Sequence, residues 1–148
     1  MDRKTNLAIV EENRLYRESL RLALSQIDDF NIVLDGDTID DIARISAVQF
    51  IDLVLLSIDV GKINGYDPLM QLRRRFPQLN ILVLLDYPET CYYENAISKG
   101  ANNAIPKFSG KEVIEQHVRS IMEKGLLCRK ETSVRPNVNN NNVTTPNE

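Results

Sequence analysis

Asp52-Leu-Val-Leu-Leu-Ser-Ile-Asp-Val-Gly-Lys-Ile-Asn-Gly65 joins an unbroken apolar run, Leu53 to Leu56, to a loop punctuated by Gly61 and Gly65. A strand with one face in the core alternates apolar and polar residues. A run without alternation suits a strand covered on both faces, as in a parallel sheet. The run stops at Ser57, and beyond the loop the stretch from Tyr66 to Phe76 reads as a helix that Pro77 ends.

The same strand-then-helix unit recurs on both sides. Upstream, Thr5 to Val10 carries the apolar run Leu7-Ala-Ile-Val10, and Arg14 to Gln26 follows as a helix capped by Asn13. Its expected inward face holds Leu15, Leu22 and Ala23 with Ser19. Ile32 to Leu34 gives a short second strand, and the three-residue steps of Ile39, Ile42, Ile45 and Val48 mark a second amphipathic helix. Downstream, Ile81 to Leu85 is the most hydrophobic strand. Pro88 is placed to open a helix that runs to Lys99 and closes at Gly100. Ala104 to Pro106 makes a weaker fifth strand, since proline suits a sheet margin. Ser109 and Glu112 form a capping-box pattern before a last helix whose face is Val113, Ile114, Val118, Ile121 and Met122.

Five consecutive units predict an α/β fold: a doubly wound, five-stranded parallel sheet between two helix layers, a three-layer sandwich. Any site should lie at the carboxyl ends of the strands, which are Glu11-Glu12, Asp35, Ser57, Leu85-Asp86 and Lys107. The first of these turns, Glu11-Glu-Asn-Arg, has no glycine to admit a pyrophosphate, which argues against dinucleotide binding.

Composition narrows the function. The 148 residues fit one domain, and 43% hydrophobic with 26% charged residues is ordinary for a packed core. A net charge of -3 gives no general attraction to nucleic acid. His117 is the only histidine, which excludes most histidine zinc sites and hydrolytic triads. Cys91 and Cys128 lie too far apart in the pattern to form a metal or redox cluster and read as free thiols. With no signal-like start and no membrane-length apolar run, a cytoplasmic location is expected. After about Gly125 the chain turns polar and asparagine-rich, so residues 1–125 read as the domain and 126–148 as a flexible linker or tail.

The acidic pair Glu11-Glu12, the Asp52 to Gly65 stretch, Arg75-Phe-Pro-Gln-Leu-Asn-Ile-Leu-Val-Leu-Leu85, Ala96-Ile-Ser-Lys-Gly-Ala101 and Lys107 together resemble the receiver domain of bacterial two-component response regulators. The resemblance covers roughly Asn6 to Gly125 and is nearer to the branch with a LuxR- and NarL-type helix-turn-helix output. It implies a flavodoxin-like strand order, 2-1-3-4-5. In that family two acids after the first strand and an aspartate ending the third hold magnesium, and that aspartate accepts a phosphoryl group. A hydroxyl residue ending the fourth strand and an aromatic residue on the fifth relay the change, and a lysine pairs with the phosphoryl oxygens.

Matched residue by residue, Glu11, Glu12 and Lys107 remain, whereas the phosphoacceptor position is Ser57, the hydroxyl position Leu85 and the aromatic position Ala104. Phosphoryl transfer to a carboxylate needs an ionised oxygen beside a hard cation; serine is protonated near neutral pH, and no histidine stands in the motif to deprotonate it. Losing the third carboxylate also removes a magnesium ligand. The expectation is therefore a degenerate receiver, not an enzyme, without a cofactor or metal and with at most weak magnesium binding. It would be regulated by expression level, a partner or a ligand. The alternatives are a phosphoacceptor switch using Asp59 or Ser57, with Asp59 otherwise a solvent-facing loop residue, and a stand-alone adaptor.

The remaining features divide between structural and binding readings. Arg73-Arg74-Arg75 reads as the solvated end of the third helix, because consecutive helical positions diverge. Tyr92 and Tyr93 on the fourth helix, and Val118 and Ile121 on the last, are candidate contacts for a partner protein or a second copy in a homodimer; each can equally serve the core. Val143-Thr-Thr-Pro-Asn-Glu148 resembles the Leu-Thr-Pro-Arg-Glu opening of the LuxR-type helix-turn-helix. DNA would thus be contacted only through a C-terminal domain that this sequence does not include.

Overall fold

The computed structural model describes residues 3–44 and 50–134. Five strands and five helices alternate: β1 (Thr5–Val10), α1 (Arg14–Ser25), β2 (Phe30–Gly36), α2 (Asp40–Arg44), β3 (Leu53–Ile58), α3 (Asp67–Arg75), β4 (Asn80–Leu85), α4 (Thr90–Ser98), β5 (Asn103–Pro106) and α5 (Lys111–Val134). All strand pairs are parallel, and the sheet order is β2-β1-β3-β4-β5. This is the expected doubly wound, flavodoxin-like arrangement.

The alternation of side chains across each strand splits the core in two. Val10, Leu56, Val83 and Leu85 pack with Ile42 of α2, Leu69 and Leu72 of α3 and Ala96 of α4. Leu7, Ile9, Leu55 and Leu84 pack with Leu20 and Leu24 of α1 and with Ile114 and Val118 of α5. The unbroken apolar runs are thus the signature of strands buried on both faces.

At the amino edge of the sheet, polar side chains satisfy the frayed backbone. Asp52 Oδ2 accepts from the Asn6 amide at 2.7 Å, Asn102 Oδ1 accepts from the Ile81 amide at 2.8 Å, and Asn80 Nδ2 donates to the Asp52 carbonyl at 3.0 Å. Arg3 adds an ion pair to Asp52 at 2.9 Å. The opposite, carboxyl edge carries the pocket.

Several local expectations are corrected. The inward face of α1 is Leu20 and Leu24, with Tyr16 and Ile27 beside them, while Leu15 is 78% and Leu22 59% exposed. The helix carries two apolar stripes, and the sheet takes the one closed by Ile27. Pro88 does not open α4; Glu89 takes the cap position and the helix begins at Thr90. The Ser109–Glu112 box does not form. Ser109 Oγ donates to the Pro106 carbonyl at 2.7 Å, and Gly110 supplies the carbonyl that accepts from the first α5 amides, Val113 and Ile114.

Arg73 is half-buried and anchored, not a free solvated end. Its guanidinium donates to the carbonyls of Gly100, Phe76 and Pro77 and to Asn102 Oδ1, clamping the end of α3 to the turn before β5. Gly100 has φ 122°, a left-handed backbone that closes α4 as the sequence suggests. Ile45 and Val48, expected in the second helix, lie outside the described residues, as do residues 135–148 of the expected tail. Helix α5 runs past Gly125 to Val134.

Candidate functional site

Where β1, β3, β4 and β5 end, their following loops enclose a cavity of about 310 Å³ lined by Glu11, Glu12, Asn13, Ser57, Ile58, Asp59, Asp86 and Lys107. The strand ends thus bring together Glu11, Glu12, Ser57, Asp59 and Lys107, as the sequence suggests. Leu85 and Ala104 are not in the lining. Both are buried, Leu85 at 1% exposure, in the core beneath α3 and α4, and the β4 contribution to the cavity is Asp86.

Glu11 is the buried charge of the molecule among the described residues, at 3% exposure. Its Oε2 accepts from the Asn13 amide at 2.6 Å, and Lys107 Nζ stands 2.9 Å from its Oε1. The lysine approaches off the hydrogen-bond direction, so Glu11 Oε1 and the neighbouring Ser57 Oγ are buried without a well-aligned hydrogen bond. Burial pushes the Glu11 carboxyl up, but the Asn13 amide, the Lys107 ammonium and the polar Ser57 hydroxyl beside it outweigh this and hold it below the usual value.

Lys107 is aimed by an aromatic cradle that the sequence did not reveal. Its ammonium lies 4.9 Å from the centre of the Tyr16 ring and 5.7 Å from that of Phe108, and these rings meet edge to face at 5.2 Å. The Tyr16 hydroxyl donates to the Lys107 carbonyl. Burial, with Glu11 and Asp86 nearby, pushes the Tyr16 phenol up to about 12.

Glu12, by contrast, is exposed and meets Lys62 Nζ at 3.0 Å, a pair linking the β1–α1 and β3–α3 loops. Asp59 turns its Oδ1 onto the Gly61 amide at 2.9 Å, bracing its own loop. Magnesium wants several oxygens in octahedral array. Here Glu11 is occupied by Lys107 and Asn13, Glu12 by Lys62 and Asp59 by the Gly61 amide; Asp86 is the one lining carboxylate left over, and Ser57 adds only a neutral hydroxyl. The residues present do not fit the ion, and no group of three or more acidic, histidine or cysteine side chains suited to a metal occurs among the described residues.

Beyond Asp59 and Asp86 of the lining, the Tyr87 hydroxyl lies too close to Gly61 to leave room for a Cβ there, so Gly61 admits the ring across the loop. Tyr87 meets Tyr92 edge to face at 5.6 Å. Tyr92 and Tyr93 are both half-buried and pack on the core, while Ile97 and Tyr87 are the more exposed groups there. Val118 and Ile121 are buried against the sheet and offer no free surface. Cys91 is a free, exposed thiol. No helix among the described residues is long and apolar enough to cross a membrane.

Comparison with known proteins agrees with this fold. The transcriptional regulatory protein DegU of Brevibacillus brevis is 23% identical over 124 residues, 84% of this chain and 52% of that protein. ComA of Bacillus subtilis is 28% identical, covering 68% of this chain and 56% of its own length. The chain spans about half the length of these curated relatives. Among solved structures, the receiver domain of NarL from Mycobacterium tuberculosis superposes with a TM-score of 0.69 at 19% identity, covering 82% of this chain and 98% of that one. A LuxR-family response regulator from Aurantimonas gives 0.71 at 16% identity, over 82% and 86%. The response regulator receiver domain model matches residues 7–119. By that match, on this strand order, the chain belongs to the response regulator receiver domain family.

Proposed function

We propose that this receiver domain controls its output through contacts with other macromolecules and without aspartyl phosphorylation. The supporting observation is the neutral Ser57 in the acceptor position, set beside a Glu11 whose charge Lys107 already compensates. A serine hydroxyl there has no free base beside it to take its proton, since the neighbouring Glu11 carboxylate is committed to an ammonium. Asp59, an oxygen nucleophile on the same loop as Ser57, is held in its turn by the Gly61 amide. The buried Leu85 has no hydroxyl to answer a phosphoryl group, and Ala104 has no ring to reorient. The domain is then a regulatory module that catalyses no turnover and requires no metal.

Relatives named as transcriptional regulators, about half of whose length this chain matches, support a role in cytoplasmic transcription control. DNA contact would be made by a C-terminal domain, and the receiver would act through a second copy or a partner protein. Incubating the chain with magnesium and acetyl phosphate, alongside an ordinary receiver, tests the reading by intact mass. No phosphoryl mass should appear while the control is labelled. A stable addition mapping to Asp59 or Ser57 would overturn it.

A further inference from the structure

We propose that the pocket supplies its own cations: Lys107 on Glu11 and Lys62 on Glu12 stand in for a divalent ion and join the ends of β1, β3 and β5 without one. The inference rests on the reading of Ser57 as a position without a phosphoacceptor. A carboxylate at the end of β3 would compete with Glu11 for Lys107. A neutral serine does not, and the ammonium stands 2.9 Å from the buried Glu11 instead. That contact joins the residue after β1 to the residue after β5. The Lys62–Glu12 contact, 3.0 Å long, spans the β1–α1 and β3–α3 loops.

An entering magnesium ion must displace an ammonium from each glutamate and shed waters it holds tightly. Asp59 and Asp86 remain on the cavity wall, so a long-range attraction for cations persists. What is missing is a free, converging set of carboxylate oxygens. Removing either lysine should lower that barrier, because the glutamate left behind keeps its position while losing its partner, and only one ammonium then remains to be displaced. The two contacts differ in kind: Lys107 and Glu11 are buried, whereas Lys62 and Glu12 are exposed and contribute little to stability by themselves.

The test is thermal unfolding of the whole chain and of Lys62→Met and Lys107→Met, each with and without about 10 mM magnesium. The wild-type midpoint should not move. Each folded variant should gain about 2–4 °C on adding magnesium, with amide NMR shifts at Glu11, Glu12 and Asp59. Should Lys107→Met not fold, Lys62→Met decides alone, since its lysine is exposed. A wild-type response as large as the variants', or no response in any folded variant, would overturn the proposal. The acetyl phosphate experiment separates the two readings. Labelling of a magnesium-insensitive wild type counts against phosphorylation-independence only, whereas magnesium stabilisation of an unlabelled wild type counts against the internal cations only.

Discussion

Glu11 titrates against the acid limit of the fold. Its carboxyl is held below the ordinary 4.5 of an unfolded chain, so the unfolded state binds a proton first as pH falls. The stabilisation is complete above about 4.5 and is lost as pH drops through the lower, folded value. Urea unfolding at a series of pH values should show a decline below 4.5 that is shallower in Glu11→Gln; equal slopes would mean that another carboxylate carries it. Glu11, Lys107 and Ser57 were legible in the sequence because each closes an apolar run, and strand ends converge in a doubly wound sheet. Lys62, Tyr16 and Phe108 were not. Their roles depend on which loops the folded sheet places side by side, and nothing in local spacing records that. Asp86 was identified as a strand end but not as the residue that reaches the cavity in place of Leu85.

Element by element, existence was easier to read than orientation. Helix α1 carries apolar residues on two stripes, and periodicity alone could not choose between Leu15 with Leu22 and Leu20 with Leu24. The sheet decides, because only the second stripe continues into Ile27 and meets α5. Truncation separates them: Leu24→Ala should cost about 3 kcal/mol, whereas Leu22→Ala, on the exposed stripe, should stay within about 0.5 kcal/mol. Chemical denaturation measures both, and similar losses would show that the exposed stripe is covered in solution. Arg73 gives the converse lesson. A run of three arginines looks uniformly solvated, yet four acceptors at the α3 end and the α4–β5 turn surround the first of them. Carbonyls leave no trace in side-chain patterning, so the clamp was invisible until the turn at Gly100 was placed.

At the scale of the whole molecule, the order β2-β1-β3-β4-β5 puts β1, β3 and β4 inside and two weaker strands outside. Amide exchange should therefore be slowest in Leu7–Val10, Leu53–Leu56 and Ile81–Leu85 and faster in β5, which pairs on one side only. Exchange followed by mass spectrometry checks this, and a β5 as protected as β3 would indicate a partner along that edge. The fold as a whole was readable because its evidence is redundant: five units repeat one signal, whereas each pocket contact is stated once. The loops beside that pocket are another matter. Tyr87 lies across Gly61 only because residue 61 has no side chain, and a single methyl there would push the ring away without disturbing a buried residue. Two chains identical in core and charge would thus differ in how the β3–α3 loop meets the residue after Asp86, and at Gly61 one added carbon makes that difference.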